Sequence, residues 1–244
     1  MNCYNDFAYI YDALTDDVDY DQFMQFIKKI FKLNNLNPEL VLELACGTGN
    51  FTKRLVDEGY DVIALDNSEQ MLDVAREKCE DVLFLNQDMT EFELYGTVDA
   101  IICVLDGVNY ITDKRKLQKM FKLCHNYLNY GGLLIFDINS EYKLKNILGN
   151  NTYITDTEDI FYSWENELVG DKVNFYLTFF VKDEEEKYVR FDEVHTERIY
   201  KENELCDMLK KADFEISGVY GDFDVKKPQK RSERLFICAR KNAK

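Results

Sequence analysis

Two glycines one residue apart follow a short apolar run in L-E-L-A-C-G-T-G-N, residues 42–50. Such a turn lets backbone pass close beneath a ligand, and a helix starting there aims its free N–H groups at it. Its partner is a dinucleotide's pyrophosphate, a nucleotide's phosphates or a molecule with no phosphate. The dinucleotide fingerprint G-x-G-x-x-G carries a third glycine for close helix packing, but the window from Gly47 is G-T-G-N-F-T, with Thr52 in that place. No G-x-x-x-x-G-K-[ST] loop occurs. Glu43 stands four residues before Gly47, and Asp66 closes the next apolar run 19 residues after it, where a carboxylate can accept both hydroxyls of a ribose. Asp88, in N-Q-D-M after the third run, is placed to accept from an adenine amino group. Acids at three successive strand ends suit a ligand with a cationic amino-acid part, a ribose diol and an adenine, and no phosphate.

These residues work together only if their strands end together. LVLELA (40–45) precedes FTKRLVDEG, DVIALD (61–66) precedes SEQMLDVAREK, and DVLFLNQD (81–88) leads into a loosely patterned stretch. DAIICVLD (99–106) precedes the helix-period segment DKRKLQKMFKLCHNYL, which LLIFDIN (133–139) follows. Near-continuous apolar strands joined by helices predict a doubly wound, mostly parallel α/β sheet, covered on both faces, with its cleft at the strands' carboxyl ends. Upstream, Phe23, Phe26, Ile27, Ile30 and Phe31 share one face of a helix over 20–33. Beyond residue 150 the pattern changes to alternation, and 152–168, 171–182 and 187–199 read as three antiparallel strands with one solvated face. A last helix, KENELCDMLKKAD, and two strands, FEISGVYGDF and ERLFICARK, complete a seven-stranded main sheet. The expected organisation is an N-terminal helical segment (1–37), an α/β domain (38–150 and 200–244) and an inserted antiparallel block (151–199) that caps the substrate side.

The 244 residues, 46% hydrophobic, suffice for one such core. With 30 Lys and Arg against 46 Asp and Glu, the formal charge is −16, which repels phosphate backbones and anionic lipid. Seven scattered cysteines without a C-x-x-C pair read as reduced core thiols of a cytoplasmic protein. The opening MNCYNDFAYIYDAL has no basic n-region and is interrupted by Asp6 and Asp12, and no apolar run approaches the ~18 residues of a membrane span. Neither a membrane nor a nucleic acid is expected as partner.

The E-L-A-C-G-T-G stretch resembles the first motif of the class I S-adenosylmethionine (SAM)-dependent methyltransferases, and the resemblance covers the five strand–helix units from about 38 to 140 and the final strand pair. It implies SAM as cofactor, with Ala45, Gly47 and Gly49 passing beneath its methionyl part. Glu43 would orient the turn or meet the ammonium, Asp66 with Asn67 would hold the ribose, and Met71 would cover the adenine. Asp88 and Met89 would read the adenine edge. The Tyr-rich N-terminus and the antiparallel block before the last helix resemble the branch that contains sugar N-methyltransferases. There N-terminal tyrosines close over SAM, which points to Tyr11 and Tyr20; the arginine that follows the second tyrosine in that branch is Asp21 here.

For the acceptor, [DNS]-P-P-[YF] cannot occur with only Pro38 and Pro228, and no Pro-Cys exists, which removes two routes to base methylation. The basic stretch KKPQKR (226–231) reads as a solvated loop. A small-molecule amine or hydroxyl acceptor remains. Asp106, at the fourth strand's end, borders the methyl group in this fold, and His195, in D-E-V-H-T-E-R-I-Y, is a cap-borne base or organises Arg198 and Glu204; these two are the catalytic candidates. His125 flanks an apolar helix face and reads as structural. Asp137 and Asn139, two apart on a strand, point the same way as partners of Asp106. Their use as a cation-attracting pocket is expected ahead of a metal site, and no metal is expected. Two rival readings stay open: a catalytically silent SAM-binding subunit, with the acidic turn Asp183–Glu186 facing a basic partner, and an NAD-dependent oxidoreductase. Nothing in the sequence specifies the oligomeric state.

Overall fold

The computed structural model describes residues 7–183 and 186–242. Three strand–helix units build its first half: β1 (Leu40–Leu44), α3 (Asn50–Asp57), β2 (Asp61–Asp66), α4 (Glu69–Lys78) and β3 (Leu83–Asn86). Two helices precede them, α1 (Phe7–Leu14) and α2 (Tyr20–Leu33). After β4 (Val98–Cys103) come a 3-10 turn (Gly107–Tyr110), α5 (Lys114–Tyr127), β5 (Leu128–Asn139) and a short π-helical segment (Lys143–Leu148). The main sheet runs β10-β11-β5-β4-β1-β2-β3, where β10 is Phe214–Gly221 and β11 is Arg234–Lys241. β11 runs antiparallel to β10 and β5, and the other pairs of this sheet are parallel. This is the doubly wound, mostly parallel seven-stranded arrangement that the alternating pattern predicts.

Side chains alternate across each strand, so β1 feeds two cores. Val41 joins α2, α3 and α4 on one face, through Phe26, Ile27, Ile30, Phe51 and Leu72. Leu42 and Leu44 face α5 and α6 (Glu202–Lys210) on the other, with Phe121, Cys124 and Leu205. Both faces are dry, as near-continuous apolar strands require.

The block between β5 and α6 is a separate four-stranded antiparallel sheet, β6 (Thr152–Asp156), β7 (Ile160–Val169), β8 (Lys172–Lys182) and β9 (Tyr188–Arg198). Four strands replace the three expected, because D-T-E-D splits 152–168 in two. Thr157 closes that hairpin: its N–H donates to Ile160 O at 3.0 Å and its Oγ1 accepts from Ile160 N at 3.1 Å. Antiparallel partners share a face, so Glu197 and His195 of β9 lie on the side of buried Val173 and Phe175. That side packs on Leu144 and Leu148 of the π-helical segment, a third core that seats the sheet on the end of β5. Of the acidic turn Asp183–Glu186, Glu184 and Glu185 lie outside the described residues, as do Met1–Asp6 with Cys3.

Candidate active site

Beyond β1 the chain adopts positive φ at Ala45 (54°), Gly47 (54°) and Gly49 (78°). A Cβ on Gly49 would stand 2.9 Å from Ala75 Cβ and 3.1 Å from its Cα, so the turn closes onto α4 only as glycine. A Cβ on Gly47 would meet nothing within 4 Å, which leaves that backbone open for a ligand to approach. Gly47 N–H donates to Asp66 Oδ2 at 2.9 Å, and Ser68 N–H donates to Asp66 Oδ1 at 2.9 Å. One carboxylate thereby ties the turn after β1 to the start of α4, while burial pushes its pKa up against those hydrogen bonds.

Thr52 accounts for the missing third glycine. Its Oγ1 donates to Glu43 Oε2 at 2.5 Å, so the residue that breaks the dinucleotide fingerprint satisfies a buried acid. Glu43 is 2% exposed, and burial pushes its pKa up to about 8. It sits at the end of β1 with Thr52 for a partner. Ser68 caps α4, its Oγ accepting from Met71 N–H at 3.3 Å, and Asp88 Oδ1 accepts from Thr90 N at 2.7 Å. Met71, Asp88 and Met89 are half-buried and Asn67 is exposed, along the ends of β2 and β3 beside the turn.

Helix α1 is latched onto this turn by a residue that sequence reasoning took only as a break in an apolar stretch. Asp12 Oδ1 accepts from Thr48 Oγ1 at 2.6 Å and from Asn50 Nδ2 at 2.9 Å, and its Oδ2 pairs with Lys78 Nζ at 2.5 Å. Asn50 Nδ2 also donates to the Tyr20 hydroxyl at 3.3 Å, which brings Tyr20 to the same corner. Tyr11 is partly buried where Tyr20, Asp106, Asp66 and Asp12 all act on it, and burial followed by those charges raises its pKa well above the ordinary phenol value. Tyr11 is thus within electrostatic reach of both Asp66 and Asp106.

Leu105 and Asp106 take consecutive positive φ values of 57° and 54°, a conformation non-glycine residues keep only where the surroundings enforce it. The enforcing partner is another residue missed in the sequence. Arg234 Nη1 donates to Asp106 Oδ1 at 3.1 Å and to Asp137 Oδ2, and Asp106 N–H donates to Asp137 Oδ2 at 3.1 Å. Burial works against the guanidinium's charge, but Asp137 and Asp106 outweigh it and hold its pKa above the usual value. The expected Asp106–Asp137–Asn139 set is thus divided. Arg234 joins the two acids, whereas Asn139 turns its Nδ2 to Glu197 Oε2 at 3.0 Å. No His, Cys, Asp and Glu grouping able to hold a metal occurs among the described residues.

His195 reaches the same region, its ring 6.0 Å from that of Tyr110 in an edge-to-face contact, and burial lowers its pKa. The expected organising of Arg198 and Glu204 does not hold. Arg198 donates to Thr112 O at 2.9 Å and pairs with Asp171, while Glu204 pairs with Lys114, because the turn from β7 to β8 and the start of α5 supply nearer opposite charges. Beside the Asn139–Glu197 bond, the two sheets are tied by Asn109, fully buried, whose Nδ2 donates to Arg198 O at 2.9 Å and whose Oδ1 accepts from Asn139 N at 3.1 Å. His125 packs edge-on to Phe214 at 5.2 Å, a structural position.

Against known proteins, a methyltransferase-domain family model matches residues 41–132, the span from β1 to β5 that holds the turn, Asp66, Asp88 and Asp106. "Putative methyltransferase YqeM" of Bacillus subtilis (strain 168) is 35% identical, over 98% of this chain and 97% of its own. The crystal structure of an S-adenosylmethionine-dependent methyltransferase from Clostridium acetobutylicum is 40% identical, covers 99% of this chain and 100% of its own, and superposes with a TM-score of 0.90. The sugar N-methyltransferase KedS8 from a Streptoalloteichus species superposes at 0.82 over 96% of this chain and 93% of its own, and at 18% identity that likeness speaks for the fold alone. The open glycine turn, the acids at the strand ends and a shared sheet order fit the same cofactor. The chain belongs to the class I S-adenosylmethionine-dependent methyltransferases.

Proposed function

We propose that this enzyme transfers the SAM methyl group to a small-molecule amine or hydroxyl, bound between the carboxyl ends of β4 and β5 and the inserted sheet. The observation that carries this reading is the ring contact of Tyr110, in the turn that starts just after Asp106, with His195, where the strand end that borders the methyl group in this fold faces a cap from a different sheet. In this reading Ala45, Gly47 and Gly49 pass beneath the methionyl part and Glu43 supports the turn through Thr52. Asp66 with Asn67 holds the ribose, Met71 covers the adenine, and Asp88 with Met89 reads its edge. Tyr11 and Tyr20 close the site from α1 and α2. The bound sulfonium supplies an electrophilic methyl; the protein's part is to align the acceptor in line with it and to exclude water. Asp106 and His195 are the acceptor-side candidates, and the 151–199 sheet is the acceptor cap.

The acidic surface supports a small acceptor over a polynucleotide. No helix among the described residues is long and apolar enough to cross a membrane. Six described cysteines are unpaired thiols, which supports a reducing, cytoplasmic setting.

Calorimetry with SAM and S-adenosylhomocysteine tests the cofactor assignments. Asp66→Ala removes both the proposed ribose contact and the tie to Gly47, and is expected to weaken binding by roughly 100-fold, the loss of about two charge-assisted hydrogen bonds. Wild-type protein that binds neither ligand would overturn the reading.

A further inference from the structure

Around Asp106 the buried side chains supply acceptors in excess of donors. Asp137 is fully buried and Asn139 is 3% exposed, and one oxygen of each, Asp137 Oδ1 and Asn139 Oδ1, is buried with no hydrogen-bond partner among the described residues. Glu197 comes from the inserted sheet, is 4% exposed, and accepts from Asn139 Nδ2 at 3.0 Å. Asp106 and Asp137 share one strong donor, Arg234, already bonded to both, while Glu197 feels Lys143 and Arg234 only through space. An orphaned buried acceptor costs roughly 1–3 kcal/mol, so two on one face of β5 call for a ligand that donates. A hydroxyl donates once. A protonated amine donates two or three times and carries the charge this corner lacks.

We infer that Glu197, with Asp137 Oδ1, Asn139 Oδ1 and Asp106, receives a protonated amine acceptor, and that Glu197 takes the proton that frees its lone pair. The inference rests on the proposed methyltransferase reading and narrows its acceptor to an amine. One N–H proton passes to the Glu197 carboxylate. The freed nitrogen pair forms the new N–C bond as the S–C bond of the sulfonium breaks and its pair stays on sulfur. The product leaves as a methylated ammonium, and Glu197 returns its proton to solvent. Burial, and then the Asp106 charge, raise the Glu197 pKa, which suits it to take a proton from an ammonium. The other groups acting on it are Asn139, Lys143 and Arg234, and Tyr110 feels its charge in return. His195, two residues earlier on the same face of β9, then serves as a wall of the site and not as its base.

The test uses protein loaded with S-adenosylhomocysteine and three matched probe pairs: methylammonium and methanol, ethanolamine and ethylene glycol, glucosamine and glucose. Calorimetry is expected to favour the ammonium member, and Glu197→Gln to remove that preference while the affinity for S-adenosylhomocysteine stays within about twofold. For any amine that is methylated, Glu197→Gln is expected to lower kcat about 100-fold at neutral pH and to recover as pH approaches the amine's own pKa, where the free base arrives unaided. No ammonium preference in any pair, with S-adenosylhomocysteine still bound, overturns the inference and leaves the methyltransferase reading standing. A Glu197→Gln protein that keeps the preference overturns it too, as does one that loses S-adenosylhomocysteine affinity, which would make Glu197 a structural tie.

Discussion

The two halves of the site are held together in different ways. On the cofactor side the decisive bonds run over short stretches of chain: Glu43 to Thr52 spans 9 residues and Gly47 to Asp66 spans 19. On the acceptor side they run between distant segments: Asn139 to Glu197 spans 58, Asn109 to Arg198 spans 89 and Asp106 to Arg234 spans 128. The first half uses backbone N–H groups and glycine geometry, which a motif records. The second uses side-chain pairs whose members meet only once two sheets and an antiparallel strand are in register.

Removing the cation that joins Asp106 to Asp137 breaks the comparison most sharply. Arg234→Met leaves Asp137 buried without its counter-charge, and is expected to cost about 3–5 kcal/mol in urea unfolding. Part of the loss should return as pH falls and the stranded carboxylates protonate. Affinity for S-adenosylhomocysteine in the folded fraction should stay within about threefold, because the damage lies outside the cradle. Equal loss of cofactor binding would show that the halves are one unit.

The matching change in the cradle is Gly49→Ala. Its Cβ meets Ala75 at 2.9 Å at a φ of 78°, so overpacking and the left-handed backbone together should cost roughly 2–4 kcal/mol. Adding Ala75→Gly is expected to restore part of that stability, and failure to do so would place the cost in the backbone alone.

A third, smaller effect is read with pH. Glu43 has an ordinary value of 4.5 and about 8 in the fold, so its contribution is full below pH 4.5 and is lost as pH rises toward 8. The unfolding free energy of the ligand-free protein, read from urea titrations, should fall across that window by about 1.4 kcal/mol for each unit in which only the unfolded chain is ionised. Glu43→Gln keeps an acceptor for Thr52 and should flatten the curve. Glu197 titrates in the same direction, so Glu43→Gln with Glu197→Gln should be flatter still. An unchanged slope in the double variant would place the pH response elsewhere.

Much of the cradle was legible because its parts are local. The apolar runs place β1, β2, β4 and the last two strands to within a few residues, and the spacing from Gly47 to Asp66 is set by one strand–helix unit. The inserted block was legible as alternation, but its count was off by one strand, since a four-residue turn between strands of similar composition leaves no change of period. Asp12 and Arg234 left no signal of their own. Asp12 reads as a polar break in an apolar stretch, and Arg234 as the first residue of a strand whose register with β5 no local pattern records.

The sequence by itself determined the elements, their order and the glycine turn, because periodicity and backbone conformation are properties of neighbouring residues. It also determined the excess of acid, which repels polyanions at long range. Only the tertiary structure decided which acids stay unpaired. A carboxylate's charge, partner and protonation depend on what burial brings within a few ångströms of it. Arg234 claims Asp106 and Asp137, Thr52 claims Glu43, and the inserted sheet delivers Glu197 beside Asn139.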